Sequence, residues 1–174
     1  LDDREGIPIT LSVVYMELAK RLGLTVHGIG FPGHFIVRFD RADGQPEWID
    51  VFERGRRLSR EELARRLAET SGEILAERHL EVSSSRSILS RMLNNLLAIA
   101  IREDDTPAML RYLDAMLTVD PESSRSRVLR MLTARRLNRL DQSLADARWL
   151  LEQQPADIDL DQVRRLVAAI EADR

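Results

Sequence analysis

The sequence predicts a small α+β unit followed by an all-α half, and three observations support this division. Alternating apolar residues between positions 24 and 52 predict strands, with a predicted helix on either side. A polar run at residues 83–87, Ser-Ser-Ser-Arg-Ser, ends the strand pattern. Only helical periodicity follows, to about residue 172. We therefore predict two domains, residues 1–83 and residues 84–174.

The first predicted helix covers residues 9–22. Pro8 suits the first turn of a helix, and Gly23 suits the left-handed residue that ends one. Apolar side chains occupy most of the helix circumference and leave only a narrow polar stripe. Such a helix is usually covered by other elements, so we expect it to be buried at the centre of the α+β unit.

Three strands are predicted next, at residues 24–31, 34–39 and 47–52. Pro32-Gly33 separates the first two strands, and Asp43-Gly44 lies in the turn before the third. Successive strands joined by short turns pair antiparallel, so we expect a small antiparallel sheet.

A second helix is predicted after Ser59. The Ser59 hydroxyl can cap the helix, and Glu62, three residues later, completes a capping box. The helical pattern continues to about Thr70 and ends before Gly72. The first part of the chain is therefore helix, antiparallel strands and helix.

The second half contains an internal repeat. Pro121 and Pro155 each follow a Leu-rich helix end. The spacing between these two prolines also relates further apolar pairs: Ala100 and Ala134, Leu110 and Leu144, Leu113 and Ala147, Met116 and Leu150, Leu117 and Leu151. This spacing is the period of tetratricopeptide (TPR) repeats, helix pairs of about 34 residues, although the tryptophan and glycine marks of that repeat are absent. We expect a TPR-like array.

The helices predicted in this half are residues 88–102, 107–117, 123–137, 140–153 and 160–172. The first four form two degenerate repeat units, and the fifth closes the array. Two units are marginally stable alone, so we expect the α+β unit to support them.

The composition excludes several classes of function. The formal net charge of −3 argues against nucleic acid as a partner, and no apolar run is long enough to span a membrane. The chain has no cysteine, which removes disulfides, thiolate metal sites and thiol catalysis, and we expect a cytoplasmic location. Because the chain opens at Leu1 without a methionine, we also expect that an N-terminal part has been removed.

His34 and Asp50 are the first candidate functional residues. With a five-residue loop centred on Asp43, Ile36 lies opposite Asp50, and His34 is the diagonal neighbour of Asp50 on the same face of the sheet. With a two-residue Asp43-Gly44 turn, the two side chains point to opposite faces. Only the first register allows the carboxylate to orient the imidazole, as a catalytic His–Asp pair requires. Otherwise His34 is a strand-end residue and Asp50 a cap.

Three motifs carry a family resemblance that covers nearly the whole chain: Arg4-x-Gly6-Ile7-Pro8-Ile9-Thr10-Leu11, Phe31-Pro32-Gly33-His34-Phe35 and Trp48-Ile49-Asp50-x-Phe52. The order of these motifs resembles the transglutaminase-like, papain-like core. More narrowly, the chain resembles the bacterial SirB-type transglutaminase-like proteins, in which such a core is joined to C-terminal TPR-like helices. The resemblance implies an additional helical segment before the core.

The resemblance also implies a catalytic cysteine at the start of the first helix, with His34 and Asp50 as its partners. The matching positions, Pro8 to Thr10, contain no cysteine. We therefore expect no cysteine-dependent activity, and we treat His34, Asp50 and Thr10 as an inactive remnant of a triad. The alternative is a hydrolase or acyl-transferase in which the hydroxyl of Thr10 or Ser12 acts with His34 and Asp50.

Arginines dominate the chain between Pro121 and Leu140, with Glu122 as the single acidic residue. Arg127 and Arg130 fall on the helix face opposite the apolar residues Val128, Leu129 and Leu132. Such a face is either simply solvated or a basic surface that binds an acidic protein segment.

The preferred interpretation is a protein-interaction or regulatory module that is not an enzyme. We expect a protein or peptide as the partner, with no cofactor. The remaining histidines, His27 and His79, lack the spacing of a metal site, so we also expect no metal.

Overall fold

The computed structural model describes residues 6–172. Within it, the chain divides into two compact units, Leu1–Ile88 and Leu89–Arg174. Arg4, part of the first motif, lies outside the described residues. Within residues 6–172, every helix is too short or too polar to cross a membrane.

The first unit opens with helix α1, Pro8–Arg21, which packs against the sheet. Pro8 occupies its first turn, and Gly23 follows with a left-handed φ of +74°. The expected burial of this helix is only partly met, because Val14 and Leu18 are 49% and 55% exposed. Apolar side chains lie around most of the circumference of α1, but the sheet packs against only one side of the helix.

Four strands follow α1: β1 (Val26–Ile29), β2 (Ile36–Asp40), β3 (Pro46–Asp50) and β4 (Arg56–Leu58). They form one antiparallel sheet in the order β1-β2-β3-β4. The fourth strand was not predicted. It is three residues long and begins with two exposed arginines, so it carries no alternation that a sequence pattern could detect.

The register between β2 and β3 is that of the five-residue loop. Val37 lies opposite Ile49, and Asp40 opposite Pro46, so that residues 41–45 form the connection. Within this connection Gly44 has a left-handed φ of +78°. Of the two registers left open by the sequence, this one carries His34 and Asp50 to the same face.

Helix α2, Arg60–Ser71, covers the sheet. The Ser59 hydroxyl accepts from the Glu62 N–H, the Glu62 carboxylate accepts from the Ser59 N–H, and Gly72 ends the helix with a φ of +72°. Leu63 and Leu67 are fully buried, and they pack with sheet residues such as Ile29 and Ile36 in the core of the unit. The segment after α2 contains a 3₁₀ turn, Glu77–Leu80.

The helices of the second half are α3 (Ser85–Arg102), α4 (Thr106–Val119), α5 (Ser124–Arg136), α6 (Leu140–Gln153) and α7 (Leu160–Ala172). The predicted polar break at residues 83–87 is the start of α3. There the Ser84 hydroxyl accepts from the Ser87 N–H and so caps the helix.

Helix ends in this half recur with the spacing of Pro121 and Pro155. This spacing relates the ends of α3 and α5, the starts of α4 and α6, and the ends of α4 and α6. The residues that follow α3 and α5 also have the same backbone conformation. Asp104 and Asn138, separated by the same interval, have left-handed φ angles of 54° and 56°. The second core contains Met131, Ala147, Leu150 and Val163, from α5, α6 and α7.

Candidate functional site

His34 and Asp50 face each other at one end of the sheet. His34 stands between the Pro32-Gly33 turn and the start of β2, and Asp50 is the last residue of β3. Nε2 of His34 lies 2.8 Å from Oδ2 of Asp50. The Asp50 side chain is fully buried, whereas the imidazole is 23% exposed. The buried carboxylate therefore holds an imidazole that solvent can reach.

Two further groups bind the Asp50 carboxylate. Nη1 of Arg66, on α2, donates to Oδ2 at 2.9 Å, and the Glu53 backbone N–H donates to Oδ1 at 3.0 Å. Nη2 of Arg66 donates to the Glu53 carboxylate at 2.8 Å. Arg66 was missed in the sequence, because an arginine on an amphipathic helix gives no sign of which carboxylate it will meet.

These contacts determine the ionisation of Asp50. Burial of its carboxyl group opposes ionisation, but hydrogen bonds from His34, the Glu53 N–H and Arg66, together with the charge of His34, more than offset it. The net result is a pKa of Asp50 below its usual value. The same carboxylates counter the desolvation of Arg66 and raise the pKa of its guanidinium. Asp50 is therefore an anion in the folded protein.

An anionic Asp50 selects the tautomer of His34. With Nε2 donating its proton to Oδ2 of Asp50, the neutral ring carries no proton on Nδ1, and Nδ1 is its basic nitrogen. This arrangement suits an imidazole that accepts a proton or a hydrogen bond from a bound molecule, with Asp50 as its positioning group.

A cleft of about 320 Å³ adjoins the imidazole. The Phe52 ring meets the His34 ring edge to face, with 6.3 Å between centroids, and is 51% exposed. The cleft is lined by the Phe31–His34 turn, by Phe52 and Glu53, and by Arg66, Glu69 and Thr70 of α2. Its walls therefore come from the loops at the end of the sheet and from α2.

The candidate hydroxyl groups lie on α1, which contributes no residue to this cleft. Oγ1 of Thr10 donates to the Ile7 carbonyl at 2.9 Å, as expected for a first-turn capping residue. Ser12 is fully buried, and its Oγ has no hydrogen-bond partner among the described residues. The structure brings His34 and Asp50 together and adds Arg66, but neither hydroxyl lines the cleft beside them.

A model of the transglutaminase-like superfamily matches residues 1–94, slightly more than half of the chain. The chain belongs to the transglutaminase-like superfamily. A UPF0162 protein of Xylella fastidiosa (strain Temecula1) is 35% identical over 169 residues, which cover 92% of this chain and 59% of that protein. The UPF0162 protein YchA of Escherichia coli (strain K12) is 28% identical over 160 residues, 90% of this chain and 59% of that protein.

A eukaryotic relative also matches. Human F-box only protein 21 is 31% identical over 134 residues, which cover 68% of this chain and 20% of that protein. The chain thus spans 59% of the length of the two bacterial relatives named above. No solved structure matches the chain significantly.

This transglutaminase-like chain does not present Arg127 and Arg130 as an exposed basic surface. Their side chains are 13% and 19% exposed, and both bind the buried carboxylate of Asp146 on α6. Arg130 also binds Asp114 at 2.8 Å, and Arg127 stacks on the Trp149 ring. The orientation predicted for α5 was therefore wrong.

The two faces of α5 differ in burial in the opposite sense to the one predicted. Met131 and Ala134 are buried on the side that carries the two arginines, while Leu132, on the opposite face, is 43% exposed. The pattern of apolar residues on α5 is weak, and the buried carboxylate of Asp146 determines which side faces the core.

The other histidines have structural contacts. Nε2 of His27 lies 3.3 Å from Oδ2 of Asp40 in the neighbouring strand. Nδ1 of His79 accepts from the Ala76 N–H, and Nε2 of the same ring lies 3.1 Å from Glu73. Within residues 6–172, His, Asp and Glu side chains form no group of three or more that could hold a metal ion.

Proposed function

We propose that this chain is a non-catalytic protein-interaction or regulatory module, in which a degenerate transglutaminase-like cleft binds a peptide without cutting it. The same proposal takes the chain to be a cytoplasmic protein of the SirB type, with residues 1–83 as the transglutaminase-like domain and residues 84–174 as a TPR-like domain.

One observation carries the proposal. The pair of His34 and Asp50 is fully assembled beside a cleft, but the chain has no cysteine to act with it. A thiolate nucleophile is what such a pair would activate. The cleft thus has the shape and the polar groups of a binding site without the group that would attack a carbonyl.

The hydroxyl-based hydrolase or acyl-transferase has weaker support. The Thr10 hydroxyl is engaged with the Ile7 carbonyl, and Ser12 is fully buried. A hydroxyl nucleophile needs hydrogen-bond contact with its general base and with the substrate carbonyl. Neither residue lines the cleft at His34, so this alternative has no specific observation in its favour.

The recurrence of helix ends supports the TPR-like part of the proposal. α3 with α4, and α5 with α6, form two helix pairs that repeat with one spacing at three of their ends and at both left-handed linker residues, Asp104 and Asn138. That spacing is the period of the TPR unit, a helix pair of about 34 residues. Repeats of this kind present extended surfaces to protein partners.

The test is to incubate the 174-residue chain with a defined mixture of peptides and to follow it by mass spectrometry. We expect no cleavage, deamidation or cross-linking, and retention of intact peptides on the immobilised chain. The variant Phe52→Ala removes one wall of the cleft and should reduce retention. Turnover that is lost in His34→Ala would overturn the proposal and support the hydrolase, and retention of no peptide would overturn the binding module.

A further inference from the structure

The cleft beside His34 holds more negative than positive charge. Among the described residues that line the cleft, Arg66 is the one arginine or lysine, and its two terminal nitrogens donate to Asp50 and Glu53. Glu69 also lines the cleft and makes no ion pair with any described residue. Nη1 of Arg56 also donates to the Glu53 carboxylate, at 3.3 Å. Two guanidinium groups therefore face the three carboxylates of Asp50, Glu53 and Glu69, and Glu69 is the one that pairs with neither.

The C-terminal end of α2 adds to the negative charge at the cleft. Glu69 and Thr70 stand in the last turn of α2, which ends at Ser71 and carries no basic residue in that turn. The carbonyl groups at the C-terminus of a helix bear a partial negative charge that cations stabilise. The helix end at the cleft thus lacks the internal cation that commonly balances it.

An aromatic ring completes the site. Phe52 lines the cleft and is 51% exposed, so that a molecule in the cleft can contact its ring. The face of an aromatic ring attracts a cation, and the alkyl part of a lysine or arginine side chain packs on it. The ring is held by its edge-to-face contact with His34.

We propose that this cleft binds the cationic side chain, lysine or arginine, of a peptide partner. The charged end of that side chain meets Glu69 and the C-terminus of α2, and its alkyl part lies on Phe52. A volume of about 320 Å³ is at the lower end of the range for ligand sites, and it accommodates one long side chain with its flanking backbone. The inference rests on the proposed peptide-binding function and specifies its ligand.

The test uses four blocked tripeptides, acetyl-Gly-X-Gly-amide, with X as lysine, arginine, norleucine or glutamate. Norleucine has the length of lysine without its charge. Each tripeptide is titrated into the 174-residue chain at about pH 7.5, and the imidazole signals of His34 are followed by NMR and assigned with His34→Ala. We expect the lysine and arginine tripeptides to shift these signals and to bind more weakly as salt is added.

Substitutions at Glu69 and Phe52 test whether these side chains bind the cationic side chain. Glu69→Gln should weaken binding of the lysine tripeptide by about three- to five-fold, the range for a partly exposed ion pair. Glu103→Gln, an exposed glutamate on the segment between α3 and α4, is the matched control and should bind like the wild type. Phe52→Leu should weaken binding of both cationic tripeptides.

The outcomes separate this inference from the proposed function. Equal binding of the norleucine tripeptide, or tighter binding of the glutamate tripeptide, would overturn the charge preference and leave a peptide-binding cleft in place. Equal effects of Glu69→Gln and Glu103→Gln, or no shift with any tripeptide, would overturn the site. Cleavage of a tripeptide, seen by mass spectrometry, would overturn the proposed function instead.

Discussion

Nε2 of His34 lies 2.8 Å from Oδ2 of Asp50, an oxygen that is buried at the end of β3 and shared with the guanidinium of Arg66. The imidazole is thereby attached to the sheet and, through one carboxylate, to α2. The two side chains contribute to stability as well as to the cleft, because a buried anion needs all of its donors.

Substitution Asp50→Ala should lower the free energy of unfolding by about 3 kcal/mol, because it removes the buried carboxylate that Nη1 of Arg66, Nε2 of His34 and the Glu53 N–H share. Urea denaturation followed by circular dichroism measures the change. Asp161→Ala removes a carboxylate that is 75% exposed and should cost less than about 1 kcal/mol. Equal midpoints for Asp50→Ala and the wild type would contradict the structural role of the pair.

The contribution of the Asp50 carboxylate to the free energy of unfolding should be lost at low pH. Its pKa in the folded protein lies below the usual value of 3.8, so the unfolded chain binds the proton first as the pH falls. The stabilisation is therefore complete above about pH 5 and is lost as the pH falls through the folded pKa. Urea denaturation between about pH 2.5 and about pH 7 should show the wild type losing its advantage over Asp50→Asn. A constant difference across this range would rule out the linkage.

Gly33 and Gly72 allow a matched comparison at the turn that carries His34. Both have a φ of +72°, but a Cβ on Gly33 would lie 2.5 Å from Cγ2 of Thr70, whereas a Cβ on Gly72 would meet nothing within 4 Å. Gly72→Ala should cost about 1 kcal/mol for the left-handed backbone, and Gly33→Ala about 2–3 kcal/mol because of the added contact. Thermal or urea denaturation gives both values.

A double substitution tests the cause of the larger cost. Thr70→Ser removes Cγ2, so Gly33→Ala combined with Thr70→Ser should recover most of the excess over Gly72→Ala. An additive loss in the double variant would show that Thr70 is not the obstacle.

Arg130 should be required for the stability of the helical half. Arg130→Met removes the main partner of Asp146, a carboxylate that is 1% exposed, and should cost about 3–5 kcal/mol. Arg125→Met, at an exposed position on the same helix, is the control and should change stability by about 0.5 kcal/mol or less. If Arg130→Met is as stable as the wild type, the buried ion pair is not required, and Arg130 behaves as a residue of the solvated face that its spacing predicted.

Helix boundaries were largely predictable from the sequence. The second predicted helix has its capping box at Ser59 and Glu62 and its left-handed end at Gly72, and the last two predicted helices have their observed bounds. Capping depends on residues within a few positions of each other, so the neighbouring sequence contains the necessary information.

The candidate site was predictable only in part. His34 and Asp50 could be named as a pair from their motifs, but their contact depended on which of two registers the β2–β3 connection adopts. The loop length determines that register, and the Asp43-Gly44 turn signal was compatible with both. Arg66 could not be anticipated, since it binds Asp50 from 16 positions further along the chain.

The order of the helices, the absence of a thiol nucleophile and the recurrence of helix pairs could all be read from the sequence, because each depends on residue identity or on local spacing. Tertiary structure alone decided that β4 forms, since a three-residue strand exists only through its pairing with β3. It also decided that Arg127 and Arg130 face inward, because the carboxylate that holds them lies on the next helix, 16 to 19 residues away. Interactions of that range depend on how elements pack, which the periodicity of one helix does not record.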